Sequence, residues 1–218
     1  MKRFKFTKFQ LFVHIAALLP LAILIWDVVQ GNLSVNPIQE ISLRTGKTAM
    51  VLLVLSLAAT PVNTIFGFRP ALKVRRALGL YAFLYASIHF LIFIGLDYGF
   101  DLRLVWLELL EKRYVLVGFA ALLILLPLAI TSTKGWQRRL GKRWKTLHKW
   151  VYLAGILVII HYAWVQKSDI RQALIWGSVV ILLLVLRIPV VRRAVVRYRK
   201  KLSARFNRSE APVSAKTA

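Results

Sequence analysis

The sequence predicts an all-α, polytopic membrane bundle of about six transmembrane helices with both termini cytoplasmic. Three observations carry this. Of 218 residues, 58% are hydrophobic and the mean hydropathy is +0.63, more apolar than a soluble domain of this length. The apolar residues gather into six runs, most near the ~20 residues that cross a bilayer core as a helix. Basic residues fall in alternate connections: residues 1–8, 67–76, 132–149 and the C-terminal tail hold 25 of the 32 Lys and Arg. That side reads as cytoplasmic. Seven of the eight acids (Asp27, Glu40, Asp97, Asp101, Glu108, Glu111 and Asp169) lie on or near the other side.

The first segment, 9–29, follows a basic stretch and so mimics a signal peptide. Its apolar run is about 19 residues and no A-x-A site follows Val29, so it reads as a retained helix, with a kink expected at Pro20. Gly31, Asn32, Ser34, Asn36 and Pro37 mark an outer loop over 30–46. The second helix is expected over 47–66, with Pro61 near its inner end. An inner loop with Gly67, Arg69, Pro70, Lys73, Arg75 and Arg76 leads into the third, 74–96. The outer connection 97–113 contains 102–110 with Trp106, expected as a short helix on the membrane surface. The fourth helix is expected over 114–131. The basic loop 132–149 places Trp136 and Trp144 at the inner interface. The fifth is expected over 147–166 and the sixth over 170–191. Residues 1–202 read as one transmembrane domain and 203–218 as a disordered tail. No internal repeat and no soluble domain is evident, and no G-x-G-x-x-G opens a nucleotide-binding unit.

The formal charge of +24 would suggest nucleic acid on a soluble protein. Here topology and anionic membrane lipid account for it, and no nucleic-acid partner is expected. The absence of cysteine excludes disulfides, iron–sulfur clusters, thiolate metal sites and covalent haem attachment.

Chemistry therefore rests on four histidines, His14, His89, His148 and His161; ionisable side chains at membrane depth read as functional unless they serve as core hydrogen-bonding groups. His89 and His161 lie at similar depth in the outer half of the third and fifth helices, as two axial ligands of a haem iron would. His148 precedes His161 by about 20 Å of helix, which would separate an inner centre from an outer one. The two rings point roughly 140° apart on an ideal helix, so tilt or a non-helical start must absorb the difference. Opposite His148 the third helix offers Arg75 and Arg76 but no histidine; His14 is the other inner candidate. The two arginines are either topology signals or holders of haem propionates or a flavin phosphate. A carboxylate relay, a hydrolase triad and a zinc site all lack their partners at matching depth.

Particular segments carry a family resemblance. YAFLYASIH over 81–89, WKTLHKWVYL over 144–153 and HYAW over 161–164 resemble the ferric-reductase-like transmembrane proteins. With LAATP over 57–61 and RRALGL over 75–80, the chain is more closely similar to the MsrQ (YedZ) family, the haem-binding membrane subunits of the periplasmic protein-methionine-sulfoxide reductase system of Gram-negative bacteria. The resemblance spans roughly 8–200. It implies a multi-pass protein of the bacterial inner membrane that binds haem b, one or two per chain. Electrons would pass from a cytosolic flavin reductase or membrane quinol to a periplasmic molybdopterin methionine-sulfoxide reductase, making the chain an electron-transfer subunit rather than the catalytic one. Family metal ligands map onto His89, His148 and His161, and an FMN has been associated with the family. The chain departs from the broader superfamily in lacking a second histidine on the third helix. Two other readings are a stand-alone haem-containing quinol or ferric reductase, and a haem-free transporter or scaffold.

Overall fold

The computed structural model describes residues 6–166 and 169–209, all helix and connecting turns with no strand among them. The helices are α1 (Lys8–Gln30), α2 (Pro37–Phe66), α3 (Pro70–Ile92), α4 (Leu102–Glu111), α5 (Arg113–Ile130), α6 (Lys134–Leu140), α7 (Lys142–Leu147), α8 (Val151–Val165), α9 (Arg171–Val185) and α10 (Pro189–Ser209). A π-helical turn, Phe93–Asp97, extends α3, and a 3-10 turn, His148–Trp150, joins α7 to α8. Five spans are long and apolar enough to cross a membrane, and six if the bent pair α9–α10 counts as one.

Helix α1 opens on a reciprocal cap: Thr7 Oγ1 accepts from the Gln10 N–H and Gln10 Oε1 accepts from the Thr7 N–H. It runs through Pro20 as one helix and stops at Gly31, which takes φ +69°.

Helix α2 starts ten residues before the expected boundary. The Asn36–Pro37 signal that suggested a loop is a helix start: Asn36 Oδ1 accepts from the Gln39 N–H and Pro37 occupies the first turn. The polar first turns are held by Arg44, which pairs with Asp27 at the end of α1 and with Glu40 one turn back. The loop expected over 132–149 is likewise mostly helical, broken between α6 and α7 at Gly141 (φ +51°).

The expected sixth helix also divides. Between Val185 and Pro189 the chain turns by 81°, because Pro189 has no N–H for the ladder and disfavours a helical residue before it. The tail expected to lose structure after Leu202 stays helical to Ser209; residues 210–218 lie outside the described part.

The core joins α1, α2, α3, α5 and α8 through Ala17, Leu53, Leu78, Tyr85, Leu125 and Ala154. Small side chains at Ala82 and Ala154, exposed by 1% and 0%, let the helix backbones approach closely. Many large apolar side chains on the outer faces remain exposed, Phe12, Ile25, Leu123 and Ile181 among them, which suits contact with lipid.

Candidate functional site: a facing histidine pair and a basic cavity

Two helix pairs, α2–α3 and α5–α8, build the centre. His89 on α3 and His161 on α8 face one another with ring centroids 6.2 Å apart and planes crossed at 75°. Each imidazole is held by the neighbouring helix of its own pair. His89 Nδ1 lies 2.9 Å from the carbonyl oxygen of Ser42, and His161 Nδ1 lies 2.7 Å from that of Tyr114. A carbonyl only accepts, so both Nδ1 atoms carry the proton and both Nε2 atoms keep a free lone pair. That is the tautomer a metal ligand needs.

The two holds are copies. A constant shift of 72 residues relates Ser42, Gly46 and His89 to Tyr114, Gly118 and His161. Ala49/Ala121, Leu53/Leu125, Lys73/Lys145 and Ala82/Ala154 are identical across the same shift. So the two helix pairs repeat one local arrangement of carbonyl, glycine and histidine, which the sequence reading did not pick out. The identities are too scattered among apolar residues to stand out from hydropathy.

The same shift sets Arg76 against His148. Both line a cavity of about 410 Å³ with Arg75, Trp144, Lys145 and Arg187, and among the described residues no carboxylate lines it. Arg75 Nη1 donates to Thr60 Oγ1 at 3.1 Å. His148 stacks on Trp144 with centroids 4.0 Å apart, and its Nε2 is 3.2 Å from Thr131 Oγ1. That hydroxyl gives its own proton to the Pro127 carbonyl, so it accepts from His148, whose Nε2 carries the hydrogen. The 3-10 turn at His148–Trp150 advances about 120° per residue, which reduces the mismatch between His148 and His161 to roughly 80°. Both histidines then bond along α5, His161 to Tyr114 in its first turn and His148 to Thr131 at its C-cap.

His14 does not line this cavity. Its Nδ1 meets the Tyr81 hydroxyl at 2.8 Å, so the structure does not bring it to His148. Arg187 was not foreseen. Its Nη2 donates to the Leu57 carbonyl at 2.6 Å and its Nη1 to the Tyr152 hydroxyl at 2.8 Å. The sequence held the signal: Pro61 has no N–H, so the carbonyl four residues earlier, Leu57, needs another donor. Among the described residues no three metal-ligating side chains cluster.

A family model described as the ferric reductase like transmembrane component matches residues 45–160. The chain is 44% identical over 183 residues to a protein-methionine-sulfoxide reductase heme-binding subunit MsrQ from Rhodospirillum rubrum, covering 83% of this chain and 88% of that relative. The MsrQ of Xanthomonas euvesicatoria is 42% identical over 199 residues, 88% of this chain and 87% of the relative. The chain belongs to the MsrQ family. The ferric-reductase-like match takes in Gly46, Arg75, Arg76, His89, Gly118 and His148 and ends one residue before His161. The MsrQ relationship extends over most of the chain. No solved structure matches significantly.

Proposed function

We propose that this MsrQ-family protein is a b-type cytochrome of the bacterial inner membrane and the electron-transfer subunit of a protein-methionine-sulfoxide reductase system. The facing pair His89 and His161 carries the proposal. A metal–nitrogen bond of about 2 Å on each side, with roughly 1 Å more from each nitrogen to its ring centre, sets the centroids of a bis-imidazole complex about 6 Å apart. The observed 6.2 Å fits. Haem would take only two ligands from the protein, and His89 and His161 would supply them, which suits a pair rather than a cluster. When bound, haem supplies one-electron iron chemistry. The chain's own residues hold and orient the imidazoles, and the surrounding helices exclude water.

The termini and the basic cavity face the cytoplasm, and the histidine pair lies toward the periplasm. Electrons enter from a cytosolic flavin reductase or membrane quinol. They leave to a periplasmic molybdopterin methionine-sulfoxide reductase, supporting repair of oxidised proteins. Arg75 and Arg76 stand beside His148 to hold the anionic groups of a second cofactor, the propionates of another haem or the phosphate of FMN.

The test is a reduced-minus-oxidised spectrum of purified protein, with haem counted as the pyridine haemochrome. A b-type spectrum with about one haem lost in both His89→Ala and His161→Ala is expected. Full haem content in either variant would overturn the pairing. Reduction assays with flavin reductase, quinol and ferric chelate, each with and without the molybdoenzyme, separate the conduit from a stand-alone reductase.

A further inference from the structure

We propose that Gly46 and Gly118 are positioning residues. Each lets an imidazole lie against the backbone of the partner helix, so that its Nδ1–H reaches the carbonyl one turn earlier. Together the two clamps fix the crossing of the His89 and His161 planes. The inference builds on the haem reading and adds what sets the geometry of the iron.

Neither glycine takes a positive φ, so no backbone requirement explains it. Within a helix, glycine is the least favourable residue after proline, and its presence at these two places is explained by space. A Cβ at Gly46 would stand 3.1 Å from His89 Cε1 and 3.2 Å from its Nδ1. At Gly118 the crowding is worse, 2.7 Å from His161 Nδ1 and 2.8 Å from its Cε1. Neither ring can retreat without stretching its bond to Ser42 or Tyr114. The carbonyl and the glycine lie four residues apart in both pairs, and the 72-residue shift carries one clamp onto the other. The carbonyl fixes which way the Nδ1–H points and the glycine fixes how near the ring lies, so ring rotation is determined on both sides. The outcome is the 75° crossing.

Crossed imidazoles leave the two iron dπ orbitals that point toward them nearly equal in energy. Parallel imidazoles split them. Ferric low-spin iron reports the difference in its electron paramagnetic resonance: one very large g value for crossed planes, three resolved values for parallel ones.

The experiment records this spectrum on full-length haem-loaded protein, with haem content measured alongside. Wild type is expected to give the single large g value. Gly118→Ala should lose it, turning to a three-valued or high-spin signal, and Gly46→Ala should shift it less, in the order of the distances. Gly155→Ala is the control. Gly155 is on the same helix as His161 but on another face, where an added Cβ would press on Leu57 Cδ1 of α2 at 3.0 Å, and the variant should keep the wild-type signal. If Gly118→Ala does not fold, Gly46→Ala still decides. Wild-type spectra in the folded glycine variants, or a three-valued signal in wild type, would overturn the proposal. A wild type without haem would overturn the haem reading itself, a failure visible before any variant is made.

Discussion

Tyr85, 1% exposed on α3, reaches across to α1 and mends it. Its hydroxyl donates to the Ala17 carbonyl at 2.8 Å and accepts from the Leu21 N–H at 2.9 Å. These are the two ends of the ladder link that straddles Pro20, where the missing proline N–H and the bulk of its ring weaken the helix. In lipid no water replaces a lost bond. Tyr85→Phe should therefore cost about 1–3 kcal/mol, read as a lower midpoint of thermal unfolding in detergent with haem content little changed. Arg187 serves Pro61 in the same way through Leu57. Arg187→Met removes that donor and a charge facing the basic cavity, and should lower stability by a similar amount in the same assay. At this scale the meeting of His89 and His161 was legible, because ionisable groups stand out against an apolar background. Their holders were not. The donors' partners at Ser42 and Tyr114 are backbone carbonyls, which every residue possesses, and only the glycine four places later marks them.

Elements were legible where hydropathy defines them and misread where caps and ion pairs do. The early start of α2 depends on Asn36, Pro37 and the Arg44 pairs, all of which also read as loop chemistry. The short helix expected near 102–110 appears as α4. Asp101 caps it by accepting from the Arg103 and Leu104 N–H groups, and Val105 and Leu109 are buried against the neighbouring helices. It meets α5 at Lys112, whose Nζ lies 2.5 Å from Glu108 Oε2. The Glu108 bond raises the Lys112 pKa above its ordinary 10.5. A raised amine favours the fold while it stays charged. The contribution is whole below pH 10.5 and disappears as pH climbs through the folded value. The pair is partly exposed, so its effect is small. Thermal midpoints measured across the alkaline range should fall more steeply for wild type than for Glu108→Gln, which has no ion pair to lose. Equal slopes would show that the pair does not hold the α4–α5 junction.

For the whole molecule, the number of crossings decides on which side the second terminus lies. Helix α9 has 15 residues, about 22 Å at 1.5 Å per residue, short for a hydrocarbon core of about 30 Å. The 81° bend then turns α10 off the line of α9, and Arg199 ties it to the Asn63 and Thr64 carbonyls at the end of α2. That tie places α10 at the same end of the bundle as the basic cavity, and from this α9 is expected to cross despite its length. The charge pattern predicts the same: Arg192, Arg193, Arg197, Lys200 and Lys201 on α10 group with the other basic connections. Because the chain has no cysteine, one introduced cysteine reports one position. Asn32→Cys, between α1 and α2, should react with a membrane-impermeant maleimide in cells whose outer membrane alone is permeable. Lys142→Cys and Lys200→Cys should react only after the inner membrane is opened. Labelling of Lys200→Cys together with Asn32→Cys would mean that α9 returns without crossing. Labelling of Lys142→Cys in place of Asn32→Cys would invert the bundle, putting the histidine pair on the cytoplasmic side and the basic cavity where a periplasmic partner would have to meet it.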